Sequence, residues 1–431
     1  MSAIRYLLAK YLPKGGFARN VGILASGTVF AQILMATALP VLTRLYAPED
    51  FSVLAVFVAT TSLFTVIANL RYNLAIPLPE SNADAMALLA GAIAAALGVT
   101  TICAVIVLLA PEFTIKLIGQ PGLGPYLWMI PLSILIASIY NALQYWASRQ
   151  KRFKLVTRTR ITRSIGGVSG QLGLGLASTG PMGLLFGQLL SEGMGIIALL
   201  RDLIRNDSET ARQITWNKVK EQLHRYRRFP LFSGPEAIFD TASTQVPMII
   251  IAIYATGAEA GFLFLAIRLL GMPSRIIGAS VAQVFLVEAP GKLRDGGLYA
   301  LTLKTVKYLL LIGFPPMMLA AVLAPPLFPV IFGPDWAKAG WLVVWMAPSF
   351  LLQFAVSPVS SLLHVMGLMH LAMYLHGFSL LIRVGSVYVM ALYASNFISE
   401  AYAIASTVVN LLFIAVVLAV VRNTRHIKET I

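Results

Sequence analysis

The sequence predicts an all-α polytopic membrane protein with twelve transmembrane helices in two six-helix, pseudo-symmetric lobes. Three observations carry this prediction. Only 12% of the residues are charged while 58% are hydrophobic, against about a quarter charged in soluble domains. Apolar runs of about 20 residues, the length that crosses a bilayer core as a helix, recur along the whole chain. The basic residues fall almost wholly in alternate loops, the signature of a fixed membrane orientation.

The first element, 1–19, is interrupted by Arg5, Lys10 and Lys14. These cations break up any signal-peptide apolar core, so an amphipathic cytoplasmic N-terminus lying on the membrane surface is expected. Spans then fall at 20–45, 51–70, 85–110, 126–148, 161–178 and 181–204, making a first lobe over 20–204. The fifth and sixth are parted only by Ser178-Thr179-Gly180-Pro181, a turn signal. Residues 205–232 are the longest polar stretch. Trp216, Val219, Leu223 and Tyr226 recur there at helical spacing among basic residues, the pattern of an interfacial helix on an anionic lipid surface. The second lobe, 233–422, has spans at 233–256, 259–287, 305–332, 338–365, 371–394 and 398–422, followed by a cytoplasmic tail, 423–431.

Of the 33 Lys and Arg, the loops facing away from the termini hold only Arg44, Lys116 and Lys338. Cation-rich loops mark the cytoplasmic side, so both termini are expected there. The net charge of +15 is then loop patterning, and no nucleic-acid partner is implied. One cysteine, Cys103, excludes an intramolecular disulfide and any cysteine-based metal site; its apolar setting predicts a buried small residue.

An internal repeat supports two lobes. Ser26-Gly27 precedes Pro40 and Tyr46-Ala47, and Ser233-Gly234 precedes Pro247 and Tyr254-Ala255. Six helices per lobe is an even number, so both lobes insert with the same orientation. Parallel repeats of this kind place the substrate site between the lobes.

Ionisable residues inside spans are functional-site candidates, because an unpaired charge at mid-helix costs about 2.5–3.5 kcal/mol. Arg268 stands nine residues past Glu259, roughly 13 Å deep at helical rise. Arg275 returns to nearly the same face seven residues on. Glu192, Glu236, Asp240 and Arg383 complete the set, and Glu236 and Asp240, spaced i, i+4, share a face. Depth pairs Asp240 with Arg268 and Glu236 with Arg275. Two readings stand open: salt bridges between adjacent helices, or a wet cavity whose arginines bind an anion. A phosphate could also displace a carboxylate from its arginine. Arg71, closing the second span, joins the cavity candidates. So does Gln32, on a first span whose Gly22 and Gly27 otherwise indicate close helix packing.

His364, His370 and His376 flank a turn at six-residue spacing, wrong for i, i+4 chelation, so a structural role and no metal is expected. No phosphate loop, H-E-x-x-H or serine elbow occurs, and the outer loops are short. A transporter rather than an enzyme is expected, without a cofactor; proton or sodium coupling through Glu236 and Asp240 is left open.

The stretches TRLYAPEDFS (43–52) and LRYNLAI (70–76) resemble the polysaccharide transport, or O-antigen flippase, family of the multidrug/oligosaccharidyl-lipid/polysaccharide exporter superfamily. AIRLLGMPS (266–274) is similar to the eighth helix of lipid II flippases, where the matching arginine binds substrate. The resemblance implies two six-helix bundles in a V, opening alternately to each face. It implies a polyprenyl-pyrophosphate-linked oligosaccharide cargo in a bacterial inner membrane, an O-antigen or exopolysaccharide repeat unit, with Arg268 and Arg275 on the pyrophosphate. Partners would be membrane lipids and other polysaccharide-assembly proteins. Lipid II flippases carry further arginines in their first two helices; here neither span holds a charge between Arg19 and Arg44 or between Asp50 and Arg71, and Asn73 stands where glutamate is common. Lipid II is therefore not the expected cargo. The rival within the superfamily is a cation-coupled multidrug exporter, which typically has an acid in the first helix, absent here. A membrane-embedded glycosyltransferase or ligase would need a larger outer loop.

Overall fold

A computed structural model describes residues 16–255, 257–274, 278–360 and 362–429, and among them the chain is helical with no strand. The first half runs α1 (Gly16–Leu45), α2 (Pro48–Ala68), α3 (Asn82–Leu109), the short α4 (Pro111–Ile118), α5 (Met129–Arg149), α6 (Phe153–Leu176), α7 (Pro181–Gly193) and α8 (Ile196–Arg212). After α9 (Trp216–Arg225) come α10 (Gly234–Tyr254), α11 (Glu259–Pro273), α12 (Ala279–Arg294) and α13 (Leu298–Phe332). α14 (Ala337–Val359), the single turn α15 (Leu362–Val365), α16 (Met369–Tyr393) and α17 (Ile398–Glu429) finish the chain.

Every predicted span is helical over most of its described length. Nine helices among the described residues are long and apolar enough to cross a membrane. Of the other three predicted spans, α5 has a polar half around Asn141 and Gln144, α6 carries Lys154, Arg158, Arg160 and Arg163, and the eighth is described only on either side of 275–277, as α11 and α12. α6 also starts eight residues ahead of the predicted 161. Arg160 and Arg163 are thus helical rather than in a loop. Arg160 Nη1 donates to Thr28 Oγ1 on α1 at 3.1 Å, and the Arg163 guanidinium lies 4.0 Å from the Tyr140 ring centroid. Cation–π stacking and a hydroxyl partner let these charges sit in a helix interface.

Packing follows the internal repeat. α1 lies along α6, and α10, which opens the second half, lies along α16. The halves meet chiefly through α2, which packs on both α10 and α11. Lipid tails are as apolar as leucine, so close backbone approach rather than hydrophobic burial drives such contacts. Gly261 shows this: a Cβ there would stand 2.1 Å from the Pro48 carbonyl oxygen.

The polar linker clings to the first half. Thr215 Oγ1 caps α9 by accepting from Lys218 N at 3.4 Å. Leu223 packs over Gly91 of α3, and its carbonyl accepts from the Tyr72 hydroxyl at 3.1 Å. Trp216 stays exposed, with Lys220 Nζ 5.9 Å from its ring centroid, as an interfacial helix requires. Arg152, at the turn into α6, forks onto Asp207 at 2.7 and 2.9 Å and reaches Asp202 at 2.5 Å. The Asp207 hydrogen bond holds this guanidinium above its ordinary pKa and ties α8 to the α5–α6 turn.

Candidate functional site

After α2 the chain turns through Leu70 and Arg71, both at positive φ, 48° and 60°. A non-glycine residue there carries strain of about 1 kcal/mol or more. The turn is pinned by Asn69 Nδ2, which donates to the Ala92 carbonyl at 3.1 Å. The strained conformation aims Arg71 across the junction of the halves, where its Nε donates to Ser233 Oγ at 3.4 Å. Burial pulls the Arg71 guanidinium below its usual pKa, while nearby Tyr145, Glu236 and Asp240 push it back up.

Glu236 and Asp240 stand on α10. Asp240 Oδ1 accepts from His376 Nδ1 of α16 at 3.2 Å, with the Asp240 side chain 60% exposed and His376 21%. Two turns past His376 along α16, Arg383 is buried and donates from Nη1 to Ser243 Oγ, one turn past Asp240, at 3.1 Å. Ser243 Oγ in turn donates to the Asp240 carbonyl at 2.8 Å. Arg383 Nε is buried without a hydrogen-bond partner among the described residues. A buried guanidinium with a spare donor is a group that an anionic oxygen would satisfy. Arg71, Glu236, Asp240, His376 and Arg383 therefore form one polar cluster at the junction.

Depth pairs Asp240 with Arg268, whereas the side chain the structure sets against the Asp240 carboxylate is His376. Equal depth says nothing about azimuth, and it is α16 that runs along this face of α10. His376 was the residue that spacing missed. It was read as flanking a turn, but α16 begins at Met369, which puts His376 within the helix at the level of Asp240. Two helices running in the same direction, each with an ionisable side chain six or seven residues in, was the signal available.

Arg268 is half-buried on α11, its guanidinium 5.5 Å from the ring centroid of Phe264 one turn back. Arg275 lies outside the described residues, and with it the pairing to Glu236. Glu192 is buried away from the cluster, within the first half, accepting from Ser133 Oγ and from Gln188 Nε2. Gln32 is half-buried on α1. Cys103 is free and buried. Among the described residues no group of three His, Cys, Asp or Glu could hold a metal ion.

The end of the bundle at the α1–α2 turn is sealed across the halves. Trp336 Nε1 donates to the Thr43 carbonyl at 3.1 Å. The same indole meets Phe51 and Phe262 edge-on, with centroids 4.9 and 5.9 Å away. Arg44 Nη2 donates to the Val330 carbonyl at 3.3 Å.

No curated protein matches the chain in sequence. Among solved structures the chain is similar to the lipid II flippase MurJ in an inward closed conformation, with a TM-score of 0.70 and 16% identity over 91% of this chain and 86% of that one. It is similar to a multidrug resistance MATE family transporter of the MOP superfamily in an inward-facing conformation, with a TM-score of 0.61 and 13% identity over 94% and 95% of the two chains. The eukaryotic MATE transporter AtDTX14 gives 0.62 and 13% over 96% and 99%. At these identities the likeness is one of fold. Residues 41–340 match the family described as polysaccharide biosynthesis protein. With that match over most of its length, and with apolar helices folded as in the MurJ and MATE transporters, the chain is a multi-pass membrane protein belonging to the polysaccharide biosynthesis protein family.

Proposed function

We propose that the chain is a flippase carrying a polyprenyl-pyrophosphate-linked oligosaccharide, an O-antigen or exopolysaccharide repeat unit, from the cytoplasmic to the periplasmic leaflet of a bacterial inner membrane. The observation that carries the reading is the junction cluster. In a protein of a polysaccharide biosynthesis family, cations from both halves meet acids at the end of the bundle away from the seal. That end holds the start of α1 and the end of α17 and is read as cytoplasmic, the basic loops facing inward.

With the outer end sealed, the glycan enters from the cytoplasm and the lipid tail stays in the bilayer. The pyrophosphate competes with Glu236 and Asp240 for Arg71 at the entrance and is then taken by Arg268 and Arg275. Charge-assisted, bidentate bonds to phosphate favour arginine for this role. Rocking of the halves breaks the Trp336 seal and turns the site outward. No enzymatic step is needed, and membrane lipids and other polysaccharide-assembly proteins are the remaining partners.

A cation-coupled multidrug exporter is the second reading. It is favoured by the fold shared with MATE transporters and by Asp240, an exposed acid at the junction. Binding separates the two. The purified chain in nanodiscs is expected to bind a polyprenyl-pyrophosphate glycan, to bind the monophosphate analogue more weakly, and to leave cationic dyes unbound. Dye binding without glycan binding would move the assignment to the exporter.

A further inference from the structure

The linker helix α9 has two faces, and only one is used by the protein. Val219 and Gln222 are buried, and Leu223 lies over Gly91 of α3. Lys218 Nζ adds an ion pair to Asp84 Oδ1 of α3 at 3.0 Å. Trp216 continues the stripe of Val219 and Leu223 but is 59% exposed, with Lys220 Nζ 5.9 Å from its ring centroid. Lys220, Arg225, Arg227 and Arg228 are exposed, against one exposed acid within 216–228, Glu221. Leu231 and Phe232, in the π-helical turn Phe229–Ser233 that follows, are exposed as well. An uncovered indole among cations suits a headgroup layer, where aromatic rings collect and an anionic leaflet attracts each Lys or Arg. An acidic soluble protein fits less well, because charge alone would not use Trp216, Leu231 and Phe232.

The same linker reaches the junction site through two bonds. The Leu223 carbonyl accepts from the Tyr72 hydroxyl at 3.1 Å, next to the positive-φ residues Leu70 and Arg71. Further along, Ser233 closes the π-helical turn and accepts from Arg71 Nε. Turns of that kind recur at functional sites. The 69–72 turn is therefore held at two points by one linker, with Asn69 on the Ala92 carbonyl of α3 as a third anchor.

Positive φ at residues other than glycine persists only where the surroundings over-determine it. Released from Leu223, the turn would relax and Arg71 would lose its aim. We propose that anionic phospholipid headgroups bind the exposed face of α9, and that this binding, carried through Leu223 and Tyr72, keeps Arg71 latched on Ser233. A ligand shifts an equilibrium by its preference for one state. The docked helix offers lipid the indole and the exposed cations while Val219 and Leu223 stay on the protein. The latch thus holds Arg71 in place at the entrance until a cargo phosphate competes for it. The inference rests on the alternating-access reading only in treating the Arg71–Ser233 contact as one that opens.

The test is a distance measurement on the full chain in nanodiscs. Nitroxides are placed at Leu78→Cys and Ile238→Cys, exposed positions on opposite sides of the latch, in a Cys103→Ser background. In an equal mixture of phosphatidylcholine and phosphatidylglycerol a single short distance is expected. In phosphatidylcholine alone a longer population should grow several-fold. Lys220→Gln combined with Arg225→Gln should show the longer population in both lipids. Tyr72→Phe cuts the transmission instead. It should also show the longer population in both lipids, while a bimane at Asn217→Cys, in a separate sample, still reports α9 at the charged surface. The sealed end, labelled at Ala47→Cys and Pro334→Cys, should stay short throughout and reports that each variant is folded. Identical distributions in the two lipids overturn the proposal, as does a longer distance in the charged mixture. So does an undiminished lipid response in Tyr72→Phe or in the doubly substituted α9. Glycan flipping with a lipid-insensitive latch would remove the lipid control alone; a lipid-sensitive latch without flipping would remove the flippase reading alone.

Discussion

Arg268 shows what a single residue reveals and what it withholds. Its presence in an apolar run was legible, since charges in spans are rare and expensive. On the flippase reading, Arg268→Ala abolishes glycan export while the protein still inserts. Arg268→Lys retains part of it, because an ammonium supplies charge without the guanidinium fork. Export assays with membrane-level controls check both, and full export by the alanine variant would remove the anion site. Asp240 was equally visible, but its partner was not. Counting rise along helices gives depth, whereas pairing needs azimuth, and that depends on which helix lies alongside. The pair Asp240–His376 should therefore show coupling of about 0.5 kcal/mol in a double-mutant cycle on thermal stability, small because Asp240 is largely exposed. The pair Asp240–Arg268 should show none. Arg71 was legible as a cation at the end of the second span and a cavity candidate, but its geometry was not. Its positive φ and its reach to Ser233 emerge from the fold of the 70–76 turn.

At the level of elements, apolar length predicted the helices well and their ends less well. α6 begins at Phe153 because Arg160 and Arg163 find Thr28 and Tyr140 as partners in the helix interface. A hydropathy pattern prices those residues as exposed charges and puts the boundary after most of them. The linker helix was readable from its amphipathic spacing, but not its docking on α3 over Gly91. Close backbone contact gives a direct prediction. Gly261→Ala forces a Cβ against the Pro48 carbonyl and should destabilise the packing of α11 on α2 by about 1–3 kcal/mol, seen as a lower melting temperature and weaker closure at the Trp336 seal. Gly98→Ala meets nothing within 4 Å and should leave both unchanged. At the α5–α6 turn, Arg152→Lys keeps the charge but loses the fork onto Asp207. It should lower stability by about 1 kcal/mol, and faster proteolysis within 196–212 would report the loosened α8.

For the whole molecule, the two-half plan was read from an even number of predicted spans and a short repeat, and among the described residues α1 packs on α6 as α10 packs on α16. The cargo is the part that fold does not decide, because flippases and drug exporters share this architecture. Energetics separates them. A pyrophosphate moving outward across an inside-negative membrane gains about 2.3 kcal/mol per charge per 100 mV, so an anionic lipid can be driven by voltage with no ion gradient. A cationic drug moving outward must instead be driven against the same field. The most direct measurement is therefore a protection assay in proteoliposomes, with polyprenyl-pyrophosphate-linked oligosaccharide loaded in one leaflet and its glycan accessibility followed under an imposed potential. The flippase reading predicts protein-dependent movement that requires Arg268 and speeds when the destination side is positive. Absence of glycan movement at any potential, with efflux of a cationic dye under a proton or sodium gradient, would contradict it.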